Sequence, residues 1–405
     1  MKGSFLTANI VLLSVISLFT DVASEMLYPI IPLYLSSLGY SPAVLGTIEG
    51  AAETASGLIK VYFGVLSDKL RKRTPFIKIG YGLSALSKPL IGIIASPFTL
   101  FGARFADRIG KGIRTAPRDA MIISESSPEN RGKAFGFHRG MDSFGATLGP
   151  IVSLVMLYFI PENYRLIFIV AVIPGIVSFT LAHFLKERVG KEIPDRILNE
   201  DIPTPAQVSG LRHFRTFWKI SDPLYKKLVL GFFLMAILNS SNMFLILRAR
   251  EQGISDAFIL IAYILYNLIF ASFSYPIGKW LDKYGSRTFY IAGIMIFSLV
   301  YALFGQDFGS ALALIGLFLL YGLFSAVDEN ISKTWLSLSI PSQYRATGIG
   351  LHLSVNALGF FIGSVSFGFL WTFAGAPIAF GVISLLALPV ALYFYLLKKQ
   401  TSVNI

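Results

Sequence analysis

The chain contains no cysteine, which excludes disulfides and thiolate-held metals. It is also poor in charge: Asp, Glu, Lys and Arg make up 14% of its 405 residues, and histidine occurs four times. A soluble domain has about 25% charged residues. With 54% hydrophobic residues and a mean hydropathy of +0.65, this chain has too little polar surface to cover a globule, so its solvent is a lipid bilayer. No zinc-protease or serine-hydrolase motif is present, and Gly110-Lys111-Gly112 lacks the preceding strand and the spacing of a phosphate loop. No enzymatic activity, cofactor or metal is therefore expected. Acidic residues are the scarcer sign, 23 against 35 basic ones, for a net charge of +12. That excess would suit nucleic acid, but its placement excludes such a partner.

Apolar stretches able to cross a hydrocarbon core of about 30 Å occur twelve times, at roughly 10–36, 42–66, 75–95, 98–120, 134–159, 164–185, 226–248, 256–279, 288–305, 309–337, 346–372 and 376–397. Lys69, Arg71, Lys72 and Arg73 follow the second span, and Arg131 and Lys133 the fourth. Nine Lys or Arg fall between Lys186 and Lys227, Lys283 and Arg287 follow the eighth span, Arg345 the tenth, and Lys398 and Lys399 come near the end. The alternate loops carry only Arg165, Arg248 and Arg250. This is the positive-inside pattern of a multi-pass protein of the cell (inner or plasma) membrane with both termini cytoplasmic. Lys2 precedes the first run as in a secretion signal. That run is too long, contains Asp21 and Glu25 and lacks a small-residue cleavage site, so it is expected to be retained.

A half-length repeat organises the chain. An offset of 214 carries Gly64 to Gly278, Asp68 to Asp282, Lys69 to Lys283, Arg73 to Arg287, Thr74 to Thr288, Arg131 to Arg345, Gly136 to Gly350, His138 to His352, Gly145 to Gly359 and Gly149 to Gly363. The expected fold is all-α: twelve transmembrane helices in two six-helix bundles related by a parallel repeat. The divisions are 1–186, a linker at 187–222 and 223–405. Within the linker, Val208, Leu211, Phe214, Phe217 and Trp218 share one helical face and Arg212, Arg215 and Lys219 the other, the pattern of a short interfacial helix. Pro29, Pro32, Pro89, Pro117, Pro174 and Pro276 interrupt spans and predict bends.

Gly64-Val-Leu-Ser-Asp68-Lys-Leu-Arg-Lys-Arg73 and its copy at Gly278 to Arg287 resemble the cytoplasmic loop signature of the major facilitator superfamily of secondary transporters. The resemblance covers essentially the whole chain through helix number, repeat and topology. It implies a cytoplasmic gate made by Gly64, Asp68, Arg73, Arg131, Gly278, Asp282, Arg287 and Arg345. Physically, a glycine lets helices approach, and an aspartate at a helix end accepts from free N–H groups of a neighbour. At Arg71 the family pattern usually has glycine, which Gly285 keeps in the second copy. Gly145, Gly149 and Pro150 resemble the glycine-proline motif of proton-coupled antiporters, and small residues four apart also pack helices generically.

The membrane charges supply the chemistry. Asp21 and Glu25 share one helical face, as do Glu49 and Glu53, all near mid-span. Arg104, Asp107, Arg108, Lys111 and Arg114 form a stripe through the fourth span, with Lys88, His138, Arg139 and Asp142 nearby in the third and fifth. A single charge at the bilayer centre costs about 2.5–3.5 kcal/mol on insertion scales, so these groups must face one another or a wet cavity. One reading is a neutralising network that locks helices. Buried pairs stabilise poorly, which favours function instead. Desolvated carboxylates hold protons to higher pH than exposed ones, which makes Glu25 and Glu53, then Asp21, Glu49 and Asp107, the proton-coupling candidates. Arg104, Arg108 and Lys111 are the cationic substrate-binding candidates. The offset breaks here, carrying Glu25 to Asn239, Glu49 to Tyr263, Glu53 to Asn267, Arg104 to Phe318 and Arg108 to Gly322. Asn239, Asn242, Tyr263, Tyr266, Asn267 and Asn356 are the neutral binding candidates of the second half.

The expected activity is secondary transport of a small organic solute by rocker-switch alternating access, coupled to protons and leaning to efflux antiport. A proton-coupled importer of an anionic or carboxylate-bearing solute such as a chelator is the alternative. A non-transporting receptor or scaffold is the second. The expected partners are a small molecule, protons and lipid, with the protein acting as a monomer.

Overall fold

The computed structural model describes residues 6–94, 96–127, 130–187, 217–307, 309–337, 339–340 and 345–397. These residues form fifteen α-helices of seven residues or more, a further helical stretch at 217–220, and no strand. In chain order they are α1 (Ala8–Leu27), α2 (Ile30–Ser37), α3 (Pro42–Leu70), α4 (Thr74–Ile93), α5 (Pro97–Glu125), α6 (Arg131–Phe159), α7 (Tyr164–Val170) and α8 (Val172–Ala182). After the linker come α9 (Pro223–Leu238), α10 (Met243–Glu251), α11 (Asp256–Tyr284), α12 (Ser286–Phe304), α13 (Ala311–Ser337), α14 (Arg345–Ala374) and α15 (Ala376–Leu396). Three pairs, α1/α2, α7/α8 and α9/α10, are broken rods, which leaves one rod for each of the twelve apolar spans. Among the described residues, nine rods are long and apolar enough to cross a membrane. The three that fall short are α3, α4 and α5, the helices that carry Glu53, Lys88 and the arginine stripe.

The breaks have local causes. The first rod parts at Tyr28-Pro29, where proline removes a backbone donor. The seventh parts at Asn239-Ser240-Ser241-Asn242 without any proline. There, short polar side chains offer the backbone rival hydrogen bonds: Ser241 N donates to Ser364 Oγ at 3.3 Å and Met243 N to Ser241 Oγ at 3.3 Å. Pro89, Pro117 and Pro276 lie inside uninterrupted helices. Helix starts are capped by Thr7 on Ile10 N (3.3 Å), Asn163 on Leu166 N (3.2 Å) and Asp222 on Leu224 N (2.6 Å).

Contacts group the chain into two compact units, Met1–Ile31 with Ala51–Lys219 and Pro32–Gly50 with Ile220–Ile405. In the first, α1 crosses α6 at very short range: a Cβ on Gly145 would stand 2.6 Å from Leu18 O, and one on Gly149 2.7 Å from Met26 N. The second unit repeats this between α9 and α14, where a Cβ on Gly359 would meet Ala236 Cβ at 2.9 Å and one on Gly363 would collide with Ile237 O. The first unit has an aliphatic core patch of Ile10, Leu13, Ile16, Ile77 and Ile122 around Tyr81. The second is built on aromatic rings, with Phe297, Tyr301, Phe304 and Phe324 all fully buried. Of the linker pattern, Phe217 is buried and Trp218 exposed, while 208–216 lie outside the described residues.

Candidate functional site

In the first unit the helical spacing of α5 aims Arg104, Asp107 and Arg114 at α4 and α1. Lys88 Nζ meets Asp107 Oδ1 at 2.9 Å and also donates to Ser84 O at 3.0 Å. Arg104 Nη1 lies 3.6 Å from Asp107 Oδ2, and its guanidinium stands 5.6 Å from the centre of the Tyr28 ring. Arg114 Nη1 donates to Ser84 Oγ at 2.6 Å and caps the Tyr81 ring at 4.6 Å. Asp107 is thus held between two cations, with all three side chains under a tenth exposed.

Glu53 differs. Its Oε2 lies 3.2 Å from Arg108 Nε, an ion pair without hydrogen-bond alignment, and its side chain is 40% exposed against 9% for Arg108. Lys111, one turn along α5, is exposed. Asp21 stands in electrostatic reach of Asp142, Lys111, Glu25 and Arg114, so the α1 carboxylates, the α5 cations and α6 meet in one cluster. Asp142 Oδ2 lies 3.7 Å from His138 Nε2. Glu49 shares a helix face with Glu53 but not its surroundings: it is 2% exposed and groups with the second unit, where neighbouring Gly50 lies against Phe361.

In the second unit hydrogen bonds replace ion pairs. Tyr321 OH bridges Asn239 Oδ1 at 3.0 Å and Asn242 Oδ1 at 2.7 Å. Asn242 Nδ2 donates to Tyr266 OH at 3.1 Å, and Tyr266 OH reaches Ser325 Oγ at 3.3 Å. Tyr266 stacks between Tyr263 and Tyr321, each 5.7 Å away by ring centroid. Asn267 lies outside this network, its Nδ2 buried and without a partner among the described residues. Asn356 lines a cavity of about 160 Å³ with Asp328, Tyr290 and Asn239, so Asn239 joins that cavity to the tyrosine network. Sequence reading missed Tyr321 as a site residue, although the 214 offset carries Asp107 onto it.

The gate residues are only partly visible. Gly278 and the side chains of Asp68, Asp282 and Arg345 lie outside the described set. Gly64 faces Ala116 Cβ, Arg73 Nη1 donates to Ala120 O at 2.9 Å, Arg131 is exposed, and Arg287 lies over the Tyr395 ring at 5.2 Å. The free N–H groups of α4 are taken by an unexpected acid, Glu187, which accepts from Arg73 N at 3.0 Å and Thr74 N at 2.8 Å. No periodicity marked it, because it follows the last span of the first half. Arg71 adopts φ +51°, and its offset partner Gly285 φ +88°. The turn therefore demands left-handed backbone in both copies, and arginine accepts it without glycine's freedom.

The Major Facilitator Superfamily model matches residues 13–260 and again 228–404. An uncharacterized MFS-type transporter of Methanocaldococcus jannaschii is 34% identical over 372 residues, covering 90% of this chain and 89% of that protein. The multidrug resistance protein MdtH of Salmonella arizonae is 22% identical over 351 residues, covering 85% and 82%. Among solved structures, that of the nucleoside transporter NupG superposes with a TM-score of 0.77 at 15% identity, covering 96% of this chain and 98% of that one. The repeated helical rods, the buried charges and the two family matches agree: the chain belongs to the major facilitator superfamily and is a multi-pass membrane transporter, not an enzyme.

Proposed function

We propose that the protein is a proton-coupled efflux antiporter for small organic solutes, working by alternating access in the cell membrane with both termini cytoplasmic. The carrying observation is the contrast between two carboxylates on one ionic network. Asp107 is enclosed by Lys88 and Arg104, whereas Glu53 is 40% exposed, its one close ion pair is with a poorly aligned Arg108, and Lys111 and Arg104 act on it only at longer range. A proton arriving at Glu53 removes one carboxylate charge beside Arg108; a proton at Asp107 would remove the carboxylate that two buried cations share. Glu53 is therefore the coupling residue of this reading, with Asp21 and Glu25 as relay partners and Lys111 as an exposed cation beside the path. Gate and helix-packing roles for the paired loops and glycines belong to the same proposal.

Efflux is favoured over uptake on two grounds. The likeness to MdtH, named as a multidrug resistance protein, points that way. The arginines that suggested an anionic cargo are already engaged, Arg104 by Asp107 and Arg108 by Glu53. In proteoliposomes with an imposed pH gradient, ethidium movement is expected to collapse on adding a protonophore and to fall at least tenfold in Glu53→Gln at unchanged folding. Concentrative movement that persists without any ion gradient would overturn the proposal.

A further inference from the structure

The 214 offset pairs two chemically opposite side-chain clusters. In the first unit Arg114 lies in the electrostatic field shared by Asp21 and Asp142. The offset carries Arg114 to Asp328, Asp21 to Met235 and Asp142 to Asn356. At the matched place the second unit thus puts a carboxylate where the first has a guanidinium, and neutral side chains where the first has carboxylates. Phe76 likewise becomes Tyr290, whose OH donates to Asp328 Oδ1 at 3.0 Å.

Space accompanies the inversion. Phe232, Met235, Tyr290, Asp328, Asn356 and Phe360 line a cavity of about 160 Å³. Among the described residues no lysine or arginine pairs with Asp328; the side chain of Lys333 lies outside that set. Asn356 Oδ1 is buried and accepts no hydrogen bond among the described residues, while Asn356 Nδ2 leans on His352 Nε2 at 3.4 Å. Glu329 adds a second negative charge within reach of Asp328. Of the lining atoms, Asn356 Oδ1 is an acceptor without a partner among the described residues, Asn239 Oδ1 already accepts from Tyr321 OH at 3.0 Å, and the remaining wall is aromatic and apolar.

We infer that this cavity between α9, α12, α13 and α14 is a binding site for a protonated amine on an apolar or aromatic body. The ammonium pairs with Asp328 and donates to Asn356 Oδ1, and the rings of Phe232, Tyr290 and Phe360 receive the body. The ligand supplies from outside the cation that Arg114 supplies internally in the other unit. As a statement about cargo this rests on the transport reading; as a statement about binding it stands apart from it.

The test is titration calorimetry on the purified full-length protein at pH 7, comparing phenethylammonium with its neutral isostere 2-phenylethanol. The amine is expected to bind at least tenfold more tightly. Asp328→Asn is expected to abolish that preference, and Met235→Lys, which places a cation inside the cavity, to abolish amine binding while thermal unfolding still shows a folded protein. Equal binding of amine and alcohol, or a preference that survives in both variants, overturns the inference. Amine binding at Asp328 in a protein that moves no solute would defeat the transport reading alone. Proton-driven transport without amine preference would defeat this inference alone.

Discussion

The two units share a backbone plan and differ in how they satisfy buried polar groups. Position for position, Asp107 becomes Tyr321, Glu25 becomes Asn239, Tyr28 becomes Asn242 and Lys111 becomes Ser325. One unit closes its polar centre with charges at 2.9–3.6 Å, the other with hydroxyls and amides at 2.7–3.3 Å backed by stacked tyrosines. A neutral network is satisfied by alignment alone, and losing one member costs about one hydrogen bond. An ionic network is satisfied only while its charges balance, so one proton or one ligand can rearrange it. The unit to which the proposed function assigns the proton response is the one that departs furthest from apolar composition, at α3, α4 and α5.

The largest effect that would sharpen this contrast is expected at Asp107→Asn. It removes the carboxylate that the buried Lys88 and Arg104 share and should destabilise the protein by about 3–5 kcal/mol, read by thermal unfolding in detergent. The added variant Lys88→Met should recover part of the loss; no recovery would mean that the pair is not the source. Next come Gly149→Ala and Gly363→Ala, matched positions where a Cβ meets backbone. Each should cost about 1–3 kcal/mol by overpacking, and a harmless result at either would show that the two helix crossings are not equivalent. Arg71→Gly should stabilise by about 1 kcal/mol by relieving left-handed strain, and Gly285→Ala should destabilise by a similar amount. Opposite signs at matched positions are the outcome to look for in paired melts. Tyr321→Phe removes one hydroxyl from the neutral network and should cost about 0.5–1.5 kcal/mol, well below Asp107→Asn. Comparable losses at Tyr321 and Asp107 would erase the distinction between the units.

Much of this was legible in the chain. Apolar runs and loop charges anticipated the rods, and the offset that pairs Gly145 with Gly359 anticipated two matching close crossings. Not every proline marks a break. Pro29 does break its rod, yet Pro89, Pro117 and Pro276 sit in continuous helices, and the seventh rod breaks at asparagines and serines instead. Glu49 and Glu53 read as equals four residues apart, but one is enclosed and the other accessible. Glu187 carried no pattern of its own and Tyr321 only its offset from Asp107, because the helix end and the amides they serve come from distant parts of the chain.

By itself the sequence determined membrane residence, the helical rods, the internal repeat and the separation of ionic from neutral chemistry. Each follows from composition and local spacing, since a bilayer requires every spanning segment to satisfy its own backbone. Only the tertiary structure decided that Lys88 and Arg104 enclose Asp107, that Glu53 remains accessible, and that Asp328 faces a cavity where its counterpart Arg114 has internal acids. Pairing and enclosure depend on which neighbouring helix supplies the opposing group, and spacing along one helix carries no record of that.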